Sequence, residues 1–248
     1  MSALPADLDL DACAREPIHL LGAVQPHGFL VALDGDERVA HVSANVGALF
    51  GSSAESWIGR PFADVLPQAQ ATVRAFGPRA TSEAMYLRSL TLSLADGPRV
   101  FDVAAHRVED VLVVEFEMRA QEEEGDLAPG LDARLRTFVN DLHVTRGVDD
   151  ILGLTAREVR AITGFDRVLI YRFDPDWHGA VVAEDRNDAL PSYLDLRFPA
   201  SDIPAQAREL YRRNRVRIIP DARYEPAPIL PPRSTPLDLS QSTLRSVS

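Results

Sequence analysis

Phe198-Pro199-Ala200-Ser201-Asp202-Ile203-Pro204-Ala205-Gln206-Ala207-Arg208-Glu209-Leu210-Tyr211 reads as the rim of a pocket running into a helix. Ser201 or Asp202 can accept hydrogen bonds from the free N–H groups of a first helical turn. Pro204 has no N–H to lose there, and its fixed φ suits a helix start. Ile203, Ala207, Leu210 and Tyr211 recur at i, i+4, i+7 and i+8, which is one helical face. Asp202 is thereby placed where its backbone and carboxylate can be aimed at a ligand. Spacing alone favours the plainer reading, a capped surface helix, so the rest of the chain has to decide.

Working outward, 248 residues leave room for two domains of ordinary size. Apolar content of 46% and charged content of 25% are those of a globular protein. With 26 Lys and Arg against 37 Asp and Glu, the net charge is −11, which argues against a nucleic-acid surface. No run of about 20 apolar residues offers a membrane span. Met1-Ser2-Ala3-Leu4-Pro5-Ala6-Asp7 lacks the basic start and apolar core of a secretory signal. The single cysteine, Cys13, has no partner for an internal disulfide, and a cytoplasmic location is expected. His19, His27, His41, His106, His143 and His178 show no metal-ligand spacing, and there is no Gly-x-Ser-x-Gly elbow or kinase motif, so an enzyme is not expected.

The pattern along the chain predicts an α+β protein. Residues 1–17 are a polar, acidic arm carrying Cys13. Residues 18–119 form a first domain: a buried strand from Phe29 to Leu33, a turn at Asp34-Gly35-Asp36 and a return strand from Val39 to Val42. A short helix closed by Gly51 follows, then strands over Met85–Leu94, Val100–Val108 and Val111–Met118, with Asp96-Gly97 as a hairpin turn. The acidic stretch within 120–130 is a linker. The second domain, 131–248, opens with helices over Leu131–Thr145 and Asp149–Thr163, the latter stopped by Gly164. Strands follow over Phe165–Phe173, Gly179–Arg186 and Val216–Ile219. Residues 220–243 hold six prolines and few regular elements, a long loop that asks for a reason.

Two rare strings give that reason. Phe198-Pro199-Ala200-Ser201-Asp202-Ile203-Pro204, with Tyr211 nine residues after the Asp, resembles the chromophore-pocket signature of phytochromes. At the other end of the chain, Cys13-Ala14-Arg15-Glu16-Pro17-Ile18-His19-Leu20 and Gln25-Pro26-His27-Gly28 resemble the start of bacterial phytochromes. The resemblance implies a PAS domain over 18–119 and a GAF domain over 131–248, both antiparallel sheets flanked by helices. It also implies that 220–243 is a lasso through which the N-terminal arm threads as a knot. The implied cofactor is biliverdin, joined to Cys13 by a thioether. Tyr171, Phe198, Ile203 and Tyr211 would form walls, Pro204 would be a further chromophore-binding residue, and Asp202 would supply an acceptor for the pyrrole N–H groups. Arg217 and Arg245 would hold the propionates, with Ser246 and Ser248 as nearby hydroxyls; guanidinium forks suit carboxylates.

Red/far-red light sensing is the function implied, with a homodimer and a downstream histidine kinase or other output module as partners. The resemblance also implies that the sequence stops inside the GAF domain. The alternative reading is therefore a PAS–GAF remnant that carries no pigment and acts in interaction or dimerisation.

Overall fold

A computed structural model describes residues 16–119 and 130–247. They form two compact units: 16–119 together with 205–247, and 130–204. Cys13 and Ser248 lie outside the described residues.

The first unit is built on a sheet whose strands are β1 (Ala23–Val24), β2 (Gly28–Leu33), β3 (Val39–Ser43), β4 (Met85–Leu94), β5 (Gly97–Val108), β6 (Val111–Met118) and one later strand. Between β3 and β4 lie the short helices α1 (Val46–Phe50) and α2 (Phe62–Val65) and the longer α3 (Pro67–Phe76). The strands expected in this region are all present, and Gly51 closes α1 in the left-handed conformation, at φ 67°. Every residue of β2 is buried. Alternation explains how, because successive side chains leave a strand on opposite faces. Phe29, Val31 and Leu33 join Val114 and Phe116 of β6 in a core under the helices. Leu30 and Ala32 join Val113 in a second core on the other face.

That second face is covered by the far end of the chain. The proline-rich segment, expected to be irregular, contains the remaining strand of this sheet, β10 (Ala227–Leu230). It lies between β1 and β3, antiparallel to both, and the sheet order is β1-β10-β3-β2-β6-β5-β4. Ile229, Leu237, Leu239 and Leu244 complete the second core. Prolines at 226, 228 and 231 hide a strand from composition-based reading, because proline lacks the N–H that a ladder uses.

The second unit holds the helices α4 (Leu131–Val144) and α5 (Val148–Thr163) and the antiparallel strands β7 (Arg167–Phe173), β8 (Gly179–Arg186) and β9 (Arg197–Phe198), in the order β7-β8-β9. Gly164 stops α5 at φ 70°, as its position predicts. Beyond a 3₁₀ turn at Ala200–Asp202, the helix α6 (Ala205–Arg213) belongs to the first unit. Ser201 and Asp202 thus occupy this turn, and Pro204 directly precedes the helix.

One expected strand is corrected. Val216–Ile219 enters no ladder. Two of its backbone groups have single side-chain partners: the Ile218 carbonyl accepts from Gln25 at 2.9 Å, and the Val216 N–H donates to Asn214 Oδ1 at 3.1 Å. Val216, Ile218 and Ile219 are exposed, so water can meet the remaining backbone groups without a strand partner.

Candidate functional site

In the first unit, α6 and residues 216–219 and 240–247 enclose a cavity of about 210 Å³. Leu210 is the buried anchor of α6, and Ala207 and Tyr211 beside it line the cavity, so the helical face read from the sequence forms the cavity wall except at Ile203, which precedes the helix. Arg217 and Arg245 both line it. Arg217 donates to the Arg245 carbonyl and, at 3.0 Å, to the Ser246 carbonyl. Arg245 is 9% exposed and donates to the Ile18 carbonyl at 2.6 Å, while its Nε is buried without a partner. Among the described residues neither guanidinium makes an ion pair.

Burial pulls the Arg217 pKa below the usual arginine value. Burial, and then the neighbouring Arg217 charge, bring Arg245 down to about 10. Removing a cation from water is costly unless an anion faces it. Among the described residues these two guanidiniums donate to backbone carbonyls, and the one carboxylate acting on Arg245 is that of Asp238, more weakly than burial and Arg217 do. A ligand carrying two carboxylates on an apolar body fits this donor set: forks for the acids, Leu210, Ile219 and Val247 for the body.

The cavity is held by the N-terminal stretch. The Gln25 amide, fully buried, spans the Ile218 and Arg245 carbonyls at 2.9 and 3.1 Å. Backbone bonds run from Ile229 to Gly22, Leu239 to His19, Gln25 to Leu244 and Ser246 to Ala23. Gln25 belongs to the string Gln25-Pro26-His27-Gly28, but nothing in the sequence marks it as a brace, because a lone glutamine carries no spacing signal. Ser240 and Ser242, which also line the cavity, were equally silent.

Of the predicted site residues, Tyr211, Arg217 and Arg245 converge on this cavity, and Ser246 lies beside it, buried, its carbonyl accepting from Arg217. Tyr171, Phe198, Asp202, Ile203 and Pro204 belong to the second unit. There the Tyr171 ring meets Phe173 edge-on at 5.2 Å and Phe198 at 6.0 Å. Desolvation, then the Asp202 charge, raise the Tyr171 pKa. Asp202 is exposed, at the end of the 3₁₀ turn, with its N–H bonded to the Pro199 carbonyl at 3.1 Å. His178 Nδ1 accepts from the Ala200 N–H at 3.2 Å and so ties this turn to the sheet, a link between residues 22 apart that no local pattern announces.

Among the described residues no group of His, Cys, Asp and Glu is arranged to hold a metal, and no helix is long and apolar enough to cross a membrane.

Comparison with known proteins places these features in a family. Residues 13–119 match the PAS fold model PAS_2. The chain is 40% identical to the bacteriophytochrome of Xanthomonas campestris pv. campestris, over 100% of this chain and 39% of that protein. It is 38% identical to cyanobacterial phytochrome B of Nostoc sp., over 99% of this chain and 33% of that one. It thus spans between a third and two fifths of the length of these curated relatives. Among solved structures, the chromophore-binding domain of an unusual bacteriophytochrome from R. palustris matches with a TM-score of 0.82 at 40% identity, covering 95% of this chain and 78% of that one. The chromophore-binding domain of a Stigmatella aurantiaca phytochrome matches with a TM-score of 0.79 at 40% identity, covering 95% and 79%.

Proposed function

The chain belongs to the phytochrome family, and from that premise we propose that it is a red/far-red light-sensing module that binds biliverdin covalently. The observation that carries the proposal is the pair Arg217, half-buried, and Arg245, buried, on one cavity, neither with an ion-pair partner among the described residues. The two propionates of a linear tetrapyrrole answer that electrostatic demand. Tyr211 supplies wall from α6. Tyr171, Phe198, Ile203 and Pro204 are proposed as further wall, Asp202 as acceptor for the pyrrole N–H groups, and Ser246 and Ser248 as hydroxyl contacts. Cys13 is the proposed attachment point, through a thioether. When bound, biliverdin supplies visible absorption and a double bond between rings C and D that isomerises in light.

In this reading 18–119 is the PAS domain, 131–248 belongs to the GAF domain, and 220–243 is the lasso that fixes the arm. The bonds from Gly22, His19, Ala23 and Gln25 to residues 229–246 support that last role. The module works in the cytoplasm as a sensory input rather than an enzyme, as a homodimer passing its state to an output module such as a histidine kinase.

The test is an absorbance spectrum of the purified chain after incubation with biliverdin, beside Cys13→Ala and Arg245→Ala. The expected result is a sharpened red band, with pigment surviving denaturation only when Cys13 is present and a weakened yield in Arg245→Ala. A spectrum like that of free biliverdin in all three would overturn the proposal and favour a pigment-free interaction module.

A further inference from the structure

We propose that Gly179 is a positioning residue for Tyr171: the missing side chain on β8 is the slot in which the Tyr171 ring lies. The inference rests on the bilin-binding reading for its functional meaning, but its geometry lies wholly within the second unit. Gly179 is buried in the middle strand, with Phe173 of β7 and Phe198 of β9 as its partners on either side. Tyr171 lies two residues along β7 from Phe173, so its ring crosses the strand diagonally over Gly179. A Cβ built at Gly179 would fall inside the phenol, on Cζ, Cε1 and the hydroxyl oxygen.

The backbone does not ask for glycine here. The φ of Gly179 lies outside the left-handed region, so an alanine could take the same conformation. Space for the ring is what the glycine provides. Phe173 and Phe198 then bracket the ring at 5.2 and 6.0 Å, and the Asp202 charge acts on its hydroxyl. The three strands thus fix one orientation of a phenol that the sequence reading assigns to the chromophore wall. Any side chain at 179 turns that phenol out of its slot while leaving the ladder intact.

The experiment compares wild type, Gly179→Ala, Tyr171→Ala and the double variant. Without pigment, ring resonances of ¹³C-tyrosine-labelled protein report the slot directly, Tyr171 being assigned by its loss in Tyr171→Ala. The expected result is a displaced Tyr171 signal in Gly179→Ala, with β7 and β8 amide signals retained. With biliverdin, the absorbance maximum and fluorescence yield of Gly179→Ala should move in the same direction as those of Tyr171→Ala, and the double variant should match Tyr171→Ala. If Gly179→Ala fails to fold, rescue by Tyr171→Ala supports the slot, because the ring was then the obstacle. An unmoved Tyr171 signal, additive effects in the double variant, or failure of both Gly179 variants to fold would overturn the proposal. Should the wild type bind no biliverdin, the bilin reading fails, while the pigment-free ring signal still decides whether Gly179 sets Tyr171.

Discussion

Every residue of β2 in the first unit is buried, whereas β7 in the second unit has none in that class. The first sheet is closed on both faces, one by α1–α3 and the other by residues 227–244 returning from far along the chain. In the second unit the buried apolar residues are Leu154 and Ala156 of α5 and Val181 and Ala183 of β8, while Phe165 is 63% and Leu169 37% exposed. The order of this unit leans on polar ties instead. Glu184 accepts from Ser192, Tyr193 and Leu194 and pairs with Arg167 at 3.2 Å, fastening the loop before β9. Hydrophobic burial concentrates in the first unit, so stability should concentrate there too. The second unit keeps its groups in place by aromatic brackets and carboxylate clamps.

The sharpest way to break this contrast is to open the first sheet. Phe116 is fully buried and stacks on Phe29 at 4.5 Å. Phe116→Ala should cost about 3–5 kcal/mol, as large aromatic truncations in cores do. Leu244→Ala, in the covering segment, should cost about 2–5 kcal/mol, because Leu244 is fully buried against the second face. Urea titration followed by circular dichroism checks both. A loss below about 1 kcal/mol for Leu244→Ala would mean that the returning segment lies on the sheet without holding it.

A second measurement sharpens the contrast through pH. Glu115 of β6 is buried on the second face, opposite Leu30, with neither oxygen in a well-formed hydrogen bond. Burial pushes its pKa up to about 7, offset in part by the Ser242 hydroxyl and Thr243 backbone. His106 of β5, fully buried on both nitrogens, is pulled down to about 4 by burial. For Glu115 the folded pKa lies above the unfolded one, so its stability is intact below about pH 4.5 and is lost as pH rises to about 7. For His106 the folded pKa is depressed, so its stability is intact above about pH 6.5 and is lost as pH falls to about 4. The two slopes cancel between them. Glu115→Gln should uncover the histidine alone: its stability relative to wild type should grow from near zero at pH 4.5 to about 3 kcal/mol above pH 7. A pH-independent difference would show that Glu115 is solvated or ionised in the fold.

The contrast also explains what could be read from the sequence. Met85–Leu94, Val111–Met118 and the alternating Phe29, Val31 and Leu33 announce themselves, because local periodicity and the turn residues between them set those strands. Strand β10 did not, because its reason to be a strand lies in β1 and β3, about two hundred residues away, and its prolines argue against it. Val216–Ile219 misled in the opposite sense: its β-branched residues fit a strand, but the segment is exposed and its bonded backbone groups go to the Gln25 and Asn214 side chains. Arg217 and Arg245 became site candidates only through the family motif. Arginines next to them, such as Arg212 and Arg213, are paired with Glu209 on the surface, and nothing local separates the two kinds.

The smallest expected effect tests the other side of the comparison. Val159 and Ile162 lie on α5, 36% and 38% exposed. Truncating either gives up part of a side chain that is already more than a third exposed, and alanine offsets the loss as the better helix former by a few tenths of a kcal/mol. Val159→Ala should therefore change stability by no more than about 0.5 kcal/mol in either direction. A loss of about 2 kcal/mol would contradict the exposure and require that this face is covered in solution. Repeating the titration across a range of protein concentrations then separates the causes. A midpoint that rises with concentration assigns the cover to a second copy of the chain, since mass action stabilises an associated state. A midpoint that stays fixed assigns it to tighter packing of α5 within its own unit, and the contrast between a closed first sheet and an open second one would have to be redrawn.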